Sequence, residues 1–169
     1  MNDRIRHYTD DRIEVTYDAS RCIHAEVCID GLPEVFDTAR RPWILTRGAG
    51  ADAIAEVIGK CPSGALHFKR LDRGQEEAPA TPTTIVPMPG GPLQARGRIE
   101  VRSPDGGLIV EDSRMTLCRC GLSQNKPFCD NGHFASNFDD PPDRTADSAN
   151  TATTEGELSP SPNSVITAG

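Results

Sequence analysis

The sequence contains little of the material from which large hydrophobic cores are built. Apolar residues make up 36% of the 169 residues, and aromatic residues make up only 5%. Fifteen glycines and fourteen prolines assign much of the length to turns and loops. A chain of this kind is expected to form one small domain or two, stabilised by bound metal or by disulfides.

Long apolar runs and an excess of basic charge are also missing. No run is long enough to cross a bilayer, and residues 1–15 lack the apolar core of a signal peptide. The net charge is −7, of which −5 falls in residues 139–169, so we expect no basic face for nucleic acid. We therefore expect a cytoplasmic protein, in which the six cysteines bind metal rather than form disulfides.

Three cysteines and one histidine within one short stretch carry the strongest functional signal. Cys118, Cys120, Cys129 and His133 follow the spacing C-x-C-x8-C-x3-H. Thiolates combined with an imidazole are typical ligands of iron–sulfur clusters or zinc. The first two cysteines should face the same side of an extended segment, and the other pair should share one face of a helical turn. Two such pairs fit a two-iron cluster. A single zinc ion is the alternative, although zinc sites usually space their cysteines more widely.

The same stretch resembles the CDGSH iron–sulfur domain of the NEET proteins. Ser123, Pro127 and Asp130 match that family's pattern in register with the four ligands. Two positions depart from it, because Asn131 stands where the family has glycine and Gly132 where it has a small polar residue. Asparagine is the next best residue to glycine in a left-handed conformation, so the turn can be kept.

This resemblance covers residues 92–138 and implies a β-rich domain that binds a 2Fe-2S cluster. It implies that Cys118 and Cys120 hold one iron, while Cys129 and His133 hold the other. It further implies a role in electron transfer, redox sensing or cluster transfer, and a homodimer formed through this domain.

A second group of cysteines lies in the first half of the chain. Cys22 and Cys28 stand at the outer positions of a ferredoxin-like C-x2-C-x2-C run whose middle position is Ala25, and Cys61 is followed by proline. Together with the sequence CPSGAL, this pattern is similar to the divergent three-cysteine branch of the mono-cluster ferredoxins. The resemblance implies a 3Fe-4S cluster, or a 4Fe-4S cluster for which His24 is a possible fourth ligand. A loop role for His24, and buried free thiols for the cysteines, are the alternatives.

Periodic apolar residues predict a short helical turn, one helix and five strands. We place the turn at 26–30, the helix at 51–60, and the strands at 13–17, 43–46, 65–69, 98–101 and 108–111. The predicted fold class is α+β. Its parts are a ferredoxin-like domain at 12–72, a linker at 73–91, the β-rich domain at 92–138 and a disordered acidic tail at 139–169.

The predicted function is electron transfer between redox partner proteins, such as a reductase and an oxidoreductase. We expect no catalytic residues, because the Cys129–His133 pair is used for ligation and no phosphate-binding glycine motif is present. A histidine ligand raises a cluster's potential, so the two centres should pass electrons in one direction. A sensor or cluster carrier is the alternative, since protonation of a ligating histidine competes with iron. A structural zinc protein is a third.

Overall fold

Two small antiparallel sheets form most of the regular structure. The computed structural model describes residues 5–136 and 138–139. The N-terminal sheet has the strand order β1-β2-β3, with β1 (Ile5–Thr9), β2 (Ile13–Asp18) and β3 (Leu66–Arg70). The C-terminal sheet has the order β4-β5-β6, with β4 (Thr84–Pro87), β5 (Leu93–Arg102) and β6 (Leu108–Leu117). Helices α1 (Val27–Gly31) and α2 (Ala51–Gly59) lie between β2 and β3, so the predicted α+β class is confirmed.

The main hydrophobic core lies between α2 and the N-terminal sheet. Ile54 and Ile58 recur at helical spacing on α2 and are fully buried against Ile13 and Val15 of β2. The helix ends at Gly59, close to the predicted boundary, because Cys61 precedes a proline and so avoids the helical conformation. This ending places Cys61 beside the core, which it contacts while staying partly exposed.

Several elements differ from the sequence-based prediction. The predicted strand at 43–46 is only an isolated bridge between Phe36 and Ile44, followed by a 3-10 turn at Thr46–Gly48. Strand β1 was not predicted, because it is an exposed edge strand whose polar residues show no apolar alternation. The hairpin of β5 and β6 is longer than predicted, with ten residues in each strand.

The segment predicted to be a linker contains β4, which pairs with β5 and is exposed along its whole length. The predicted acidic tail, apart from Asp139, lies outside the described residues. In the part of the chain that the structure describes, no helix has the length and apolar character needed to cross a bilayer.

A set of buried ion pairs joins the two sheets within one compact unit. We call it the charged cluster, and it consists of Arg21, His67, Glu77, Asp112 and Arg114. Asp112 of β6 pairs with Arg21 and lies 3.2 Å from Nε2 of His67 on β3. Glu77 lies 3.0 Å from Nδ1 of His67 and 2.6 Å from Arg114 of β6. Burial opposes the charge on His67, but its hydrogen bonds to Asp112 and Glu77 prevail and raise its pKa to about 9.

Candidate metal centres

The end of β6 brings two ligand segments of the C-terminal site together. The backbone N–H of Cys118 donates to the carbonyl of Pro127 at 2.8 Å. The N–H of Cys129 donates to the carbonyl of Thr116 at 2.9 Å. This short antiparallel pairing places Cys118 and Cys129 on neighbouring segments, although 11 positions separate them in the sequence.

The four predicted ligands of the C-terminal site form two close pairs. The sulfurs of Cys118 and Cys120 are 3.8 Å apart, and the sulfur of Cys129 lies 3.6 Å from Nδ1 of His133. On a tetrahedral ion with bonds of about 2.3 Å to sulfur and about 2.1 Å to nitrogen, two sulfurs lie ~3.8 Å apart and a sulfur and a nitrogen ~3.6 Å apart. Each pair therefore has the spacing of two ligands on one ion.

Backbone amides face the sulfurs of this site. The N–H of Leu122 lies 3.5 Å from the sulfur of Cys120, and the N–H of Asn131 lies 3.4 Å from the sulfur of Cys129. Burial opposes ionisation of Cys118, but backbone hydrogen bonds from this loop lower its pKa. Burial raises the pKa of Cys129, which is only 3% exposed. Amide donors of this kind stabilise thiolates and tune the potential of a bound cluster.

The loop between Cys129 and His133 is a turn rather than the predicted helical segment. Asn131 has φ of +70°, and a 3-10 helix begins only at Gly132 (Gly132–Ser136). The carboxylate of Asp130 accepts hydrogen bonds from the N–H groups of Gln124 at 2.7 Å and Gly132 at 2.9 Å, which lower its pKa. Asp130 therefore fixes the loop backbone, and the imidazole of His133 is buried by the loop around it.

The N-terminal site is assembled from three separate elements. Cys22 follows a 3-10 turn at Ala19–Arg21, Cys28 lies on α1, and Cys61 follows α2. A cavity of about 480 Å³ lies where they meet. Its lining includes all three cysteines together with His24, Tyr17 and Trp43. The structure thus brings every predicted residue of this site to one cavity.

The thiols of the N-terminal site influence one another. Burial raises the pKa of Cys28 to about 11, and the neighbouring Cys61 and Cys22 contribute to that rise. The hydroxyl of Ser63 lies 3.7 Å from the sulfur of Cys61. A partly buried group of thiols is unfavourable as a set of anions, so a positively charged metal centre between them would remove the repulsion. The donor set and the cavity therefore fit a polynuclear iron–sulfur group.

The ligand loops of the two sites contact each other, which sequence reasoning missed. The guanidinium of Arg21, next to Cys22, lies 5.0 Å from the ring centroid of Phe128, next to Cys129. Two asparagine side chains of the C-terminal loop donate hydrogen bonds of 2.7 Å to backbone carbonyls of the N-terminal loop. Asn131 departs from the CDGSH pattern, but the sequence alone indicates only a turn residue there.

Comparison with other proteins agrees with this division of the sites. Residues 8–71 match the family described as divergent 4Fe-4S mono-cluster, and residues 90–134 match the iron-binding zinc finger of CDGSH type. The uncharacterized protein YjdI of Escherichia coli K12 is 34% identical over 64 residues, which are 38% of this chain and 84% of YjdI. YjdI of Escherichia coli O157:H7 matches with the same identity and coverage.

The first match contains the three cysteines of the N-terminal site, and the second contains the four predicted ligands of the C-terminal site. The chain therefore belongs to the divergent 4Fe-4S mono-cluster family through its N-terminal half and carries a CDGSH-type iron-binding domain after it, and both parts are iron–sulfur-binding.

Proposed function

We propose that this protein transfers single electrons between redox partner proteins through two iron–sulfur centres. The observation that carries the proposal is the contact between the two ligand loops inside one compact unit. Arg21 stacks on Phe128, so the residues that precede Cys22 and Cys129 touch each other. A cluster carrier or a structural metal protein gains nothing from a second centre beside the first, whereas an electron carrier does.

For the C-terminal site we propose a 2Fe-2S cluster rather than zinc. A zinc site of this composition needs all four ligands around one ion. Cys118 and Cys120 are also separated by one residue only, which is closer than the spacing of two to four residues that is usual for zinc. The two close ligand pairs instead match one pair per iron, with Cys118 and Cys120 on one and Cys129 and His133 on the other.

For the N-terminal site we propose a 4Fe-4S cluster held by Cys22, Cys28 and Cys61. The fourth ligand is His24, which lines the same cavity. The family description, which specifies a single 4Fe-4S cluster, supports this choice over a 3Fe-4S cluster on three thiolates. Replacing His24 by alanine should convert the electron paramagnetic resonance signal to that of a 3Fe-4S cluster.

The chain's own groups would set the direction of transfer. A histidine ligand raises the potential of the C-terminal centre relative to all-thiolate ligation. The amides of Leu122 and Asn131 reinforce this effect, because they stabilise the extra negative charge of the reduced state. Electrons should therefore enter at the N-terminal site and leave from the C-terminal site.

The test is a redox titration of the full chain, purified without air and followed by electron paramagnetic resonance, with iron and acid-labile sulfide counted. Two signals with separate midpoint potentials are expected, the higher belonging to the C-terminal centre. A Cys61→Ala variant assigns the signals, because it should lose only the N-terminal one. Equal midpoints would refute directional transfer, and a preparation without sulfide would refute both clusters.

A cluster-transfer role is the competing function, and the burial of two ligands argues against it. Cys129 is 3% exposed and His133 is 6% exposed, so an acceptor protein has little access to this iron. Reduction by a flavin reductase should be fast, and cluster transfer to an apo-ferredoxin slow. The opposite order of rates would favour the carrier.

A further inference from the structure

One side chain connects the two ligand loops directly. Asn131 lies between the ligands Cys129 and His133, and its side-chain amide Nδ2 donates a 2.7 Å hydrogen bond to the carbonyl of Ile23. Ile23 directly follows Cys22, a ligand of the other site. The backbone N–H of Asn131 also donates to the sulfur of Cys129 at 3.4 Å. A single residue therefore contacts a ligand sulfur of one site and the ligand backbone of the other.

The backbone conformation alone does not require an asparagine at this position. Asn131 has φ of +70°, a region that glycine adopts without steric cost and asparagine only tolerates. A glycine would keep the N–H that faces Cys129. What asparagine adds is the side-chain donor, and the structure uses it to reach Ile23.

We propose that Asn131 is the positioning residue that couples the two centres, holding the loops together and providing a bonded route for the electron. This inference rests on the proposed electron-transfer function. The route runs from the Cys129 sulfur through the amide and side chain of Asn131 to the Ile23 carbonyl, and then along the backbone to Cys22. It contains the two hydrogen bonds described and roughly a dozen covalent bonds.

The transfer step is balanced by simple one-electron partners. One electron passes from the reduced N-terminal centre, which is oxidised, to the C-terminal centre, which is reduced. A reduced flavin supplies the electron at the first site, and a one-electron acceptor protein removes it from the second. No proton moves and no covalent bond forms or breaks.

The structure offers a matched control in Asn125. Its Nδ2 donates a hydrogen bond of the same length, 2.7 Å, to the carbonyl of Ser20, so it also joins the two loops. Its backbone N–H donates to the hydroxyl of Ser123 rather than to a ligand sulfur. Asn131→Gly and Asn125→Ala thus each remove one contact between the loops, but only the first interrupts the route that includes a cluster ligand.

The experiment uses the full chain with both clusters bound. A photoreduced flavin delivers one electron, and the absorbance changes of the two centres give the internal transfer rate. Spin–spin coupling in the fully reduced protein and hydrogen exchange of the amides at residues 22–25 provide readouts independent of turnover. Each variant should lower the exchange protection about fivefold, as expected for one hydrogen bond. Only Asn131→Gly should also slow transfer by at least that factor and weaken the spin coupling, with both midpoint potentials unchanged.

The possible results distinguish a failure of the coupling role of Asn131 from a failure of the proposed electron-transfer function. If the unaltered protein transfers electrons internally and Asn131→Gly does so at the same rate, or no more slowly than Asn125→Ala, the coupling role is refuted and the function stands. If the unaltered protein shows no internal transfer, both are refuted. Loss of iron from the C-terminal site in Asn131→Gly also refutes coupling, since Asn131 would then serve to retain the cluster. Asn131→Asp, which tolerates positive φ but cannot donate, should repeat the slowing.

Discussion

Replacing Asp112 by asparagine should destabilise the N-terminal sheet, although Asp112 itself lies in the C-terminal sheet. Asp112 lies on β6 of the C-terminal sheet, and its side chain is only 5% exposed. Its carboxylate pairs with Arg21 and with His67, which lies 3.2 Å away, and both of these cations belong to the N-terminal half. Asparagine keeps the size of the side chain and removes the charge, so the variant isolates the ion pairs that join the sheets.

The size of the loss of stability depends on the hydrogen bonds that Arg21 keeps in the variant. Removing one partner of a buried ion pair costs about 3–5 kcal/mol, because the other charge is left without compensation. Arg21 still donates to the carbonyls of Ser63 and Arg114, each at 2.8 Å. These acceptors remain in the variant, so we expect the lower end of that range, about 3 kcal/mol.

The assay measures unfolding of the N-terminal half, across the junction from Asp112. Trp43 is the chain's single tryptophan, and its ring lies 4.8 Å from that of Tyr17 on β2, inside the N-terminal half. Its fluorescence during urea unfolding without air therefore reports on the sheet that does not contain the substituted residue. The control is Glu100→Gln, which removes an exposed ion pair with Arg102 on the same hairpin as Asp112 and should cost less than about 1 kcal/mol. An unchanged Trp43 transition in Asp112→Asn would mean that the sheets unfold independently and that the charged cluster does not join them.

Three further predictions concern the same unit. Burial opposes the charge on His67, but the hydrogen bonds to Asp112 and Glu77 raise its pKa to about 9. The stabilisation that the charged form contributes is therefore fully present below pH ~6.5 and is lost as the pH rises through 9. The expected loss of stability is roughly 2 kcal/mol, after allowing for solvent screening of a side chain that is 30% exposed. Urea midpoints measured across that pH range should show this loss in the unaltered protein, and His67→Gln should remove it. Gly64→Ala should cost at least about 2 kcal/mol by the same assay, because φ is +66° and the new Cβ would clash with the carbonyl oxygen of Arg114. Cys28→Ala should lose the iron of the N-terminal site and keep the C-terminal signal in electron paramagnetic resonance.

The sequence was most informative where spacing alone fixes chemistry. The run from Cys118 to His133 identified its ligand pairs, because residues two apart in an extended segment must share a side. Helix α2 was predicted almost to its ends, since apolar periodicity and the proline after Cys61 are both local signals. Which residues ligate the clusters stays a prediction that the titration above will test.

Charged residues were where sequence reasoning failed, for a physical reason. Arg21, Asp112 and Arg114 carry no apolar signal that would predict burial, yet each is buried or nearly so. Their burial depends on partners far away in the sequence, such as Glu77 in the segment predicted to be a linker. No local pattern encodes such a pairing. The one local indication is that Asp112 and Arg114, which are opposite in charge and two residues apart, lie on the same face of β6.

Buried ion pairs form part of the junction between the sheets, which has a consequence for the proposed electron transfer. Buried ion pairs add little net stability compared with apolar contacts, but an apolar interface can slide to a new packing at small cost, whereas Arg21 cannot leave Asp112 without exposing an uncompensated charge. Arg21 directly precedes the predicted ligand Cys22 and also touches Phe128, which directly precedes the predicted ligand Cys129. A charge fixed at that point restrains both ligand loops at once. The distance between the two proposed centres is thus restrained by the same side chain that joins the sheets. Under the proposed function, a change that loosens Arg21 should therefore alter the transfer rate before it unfolds either sheet.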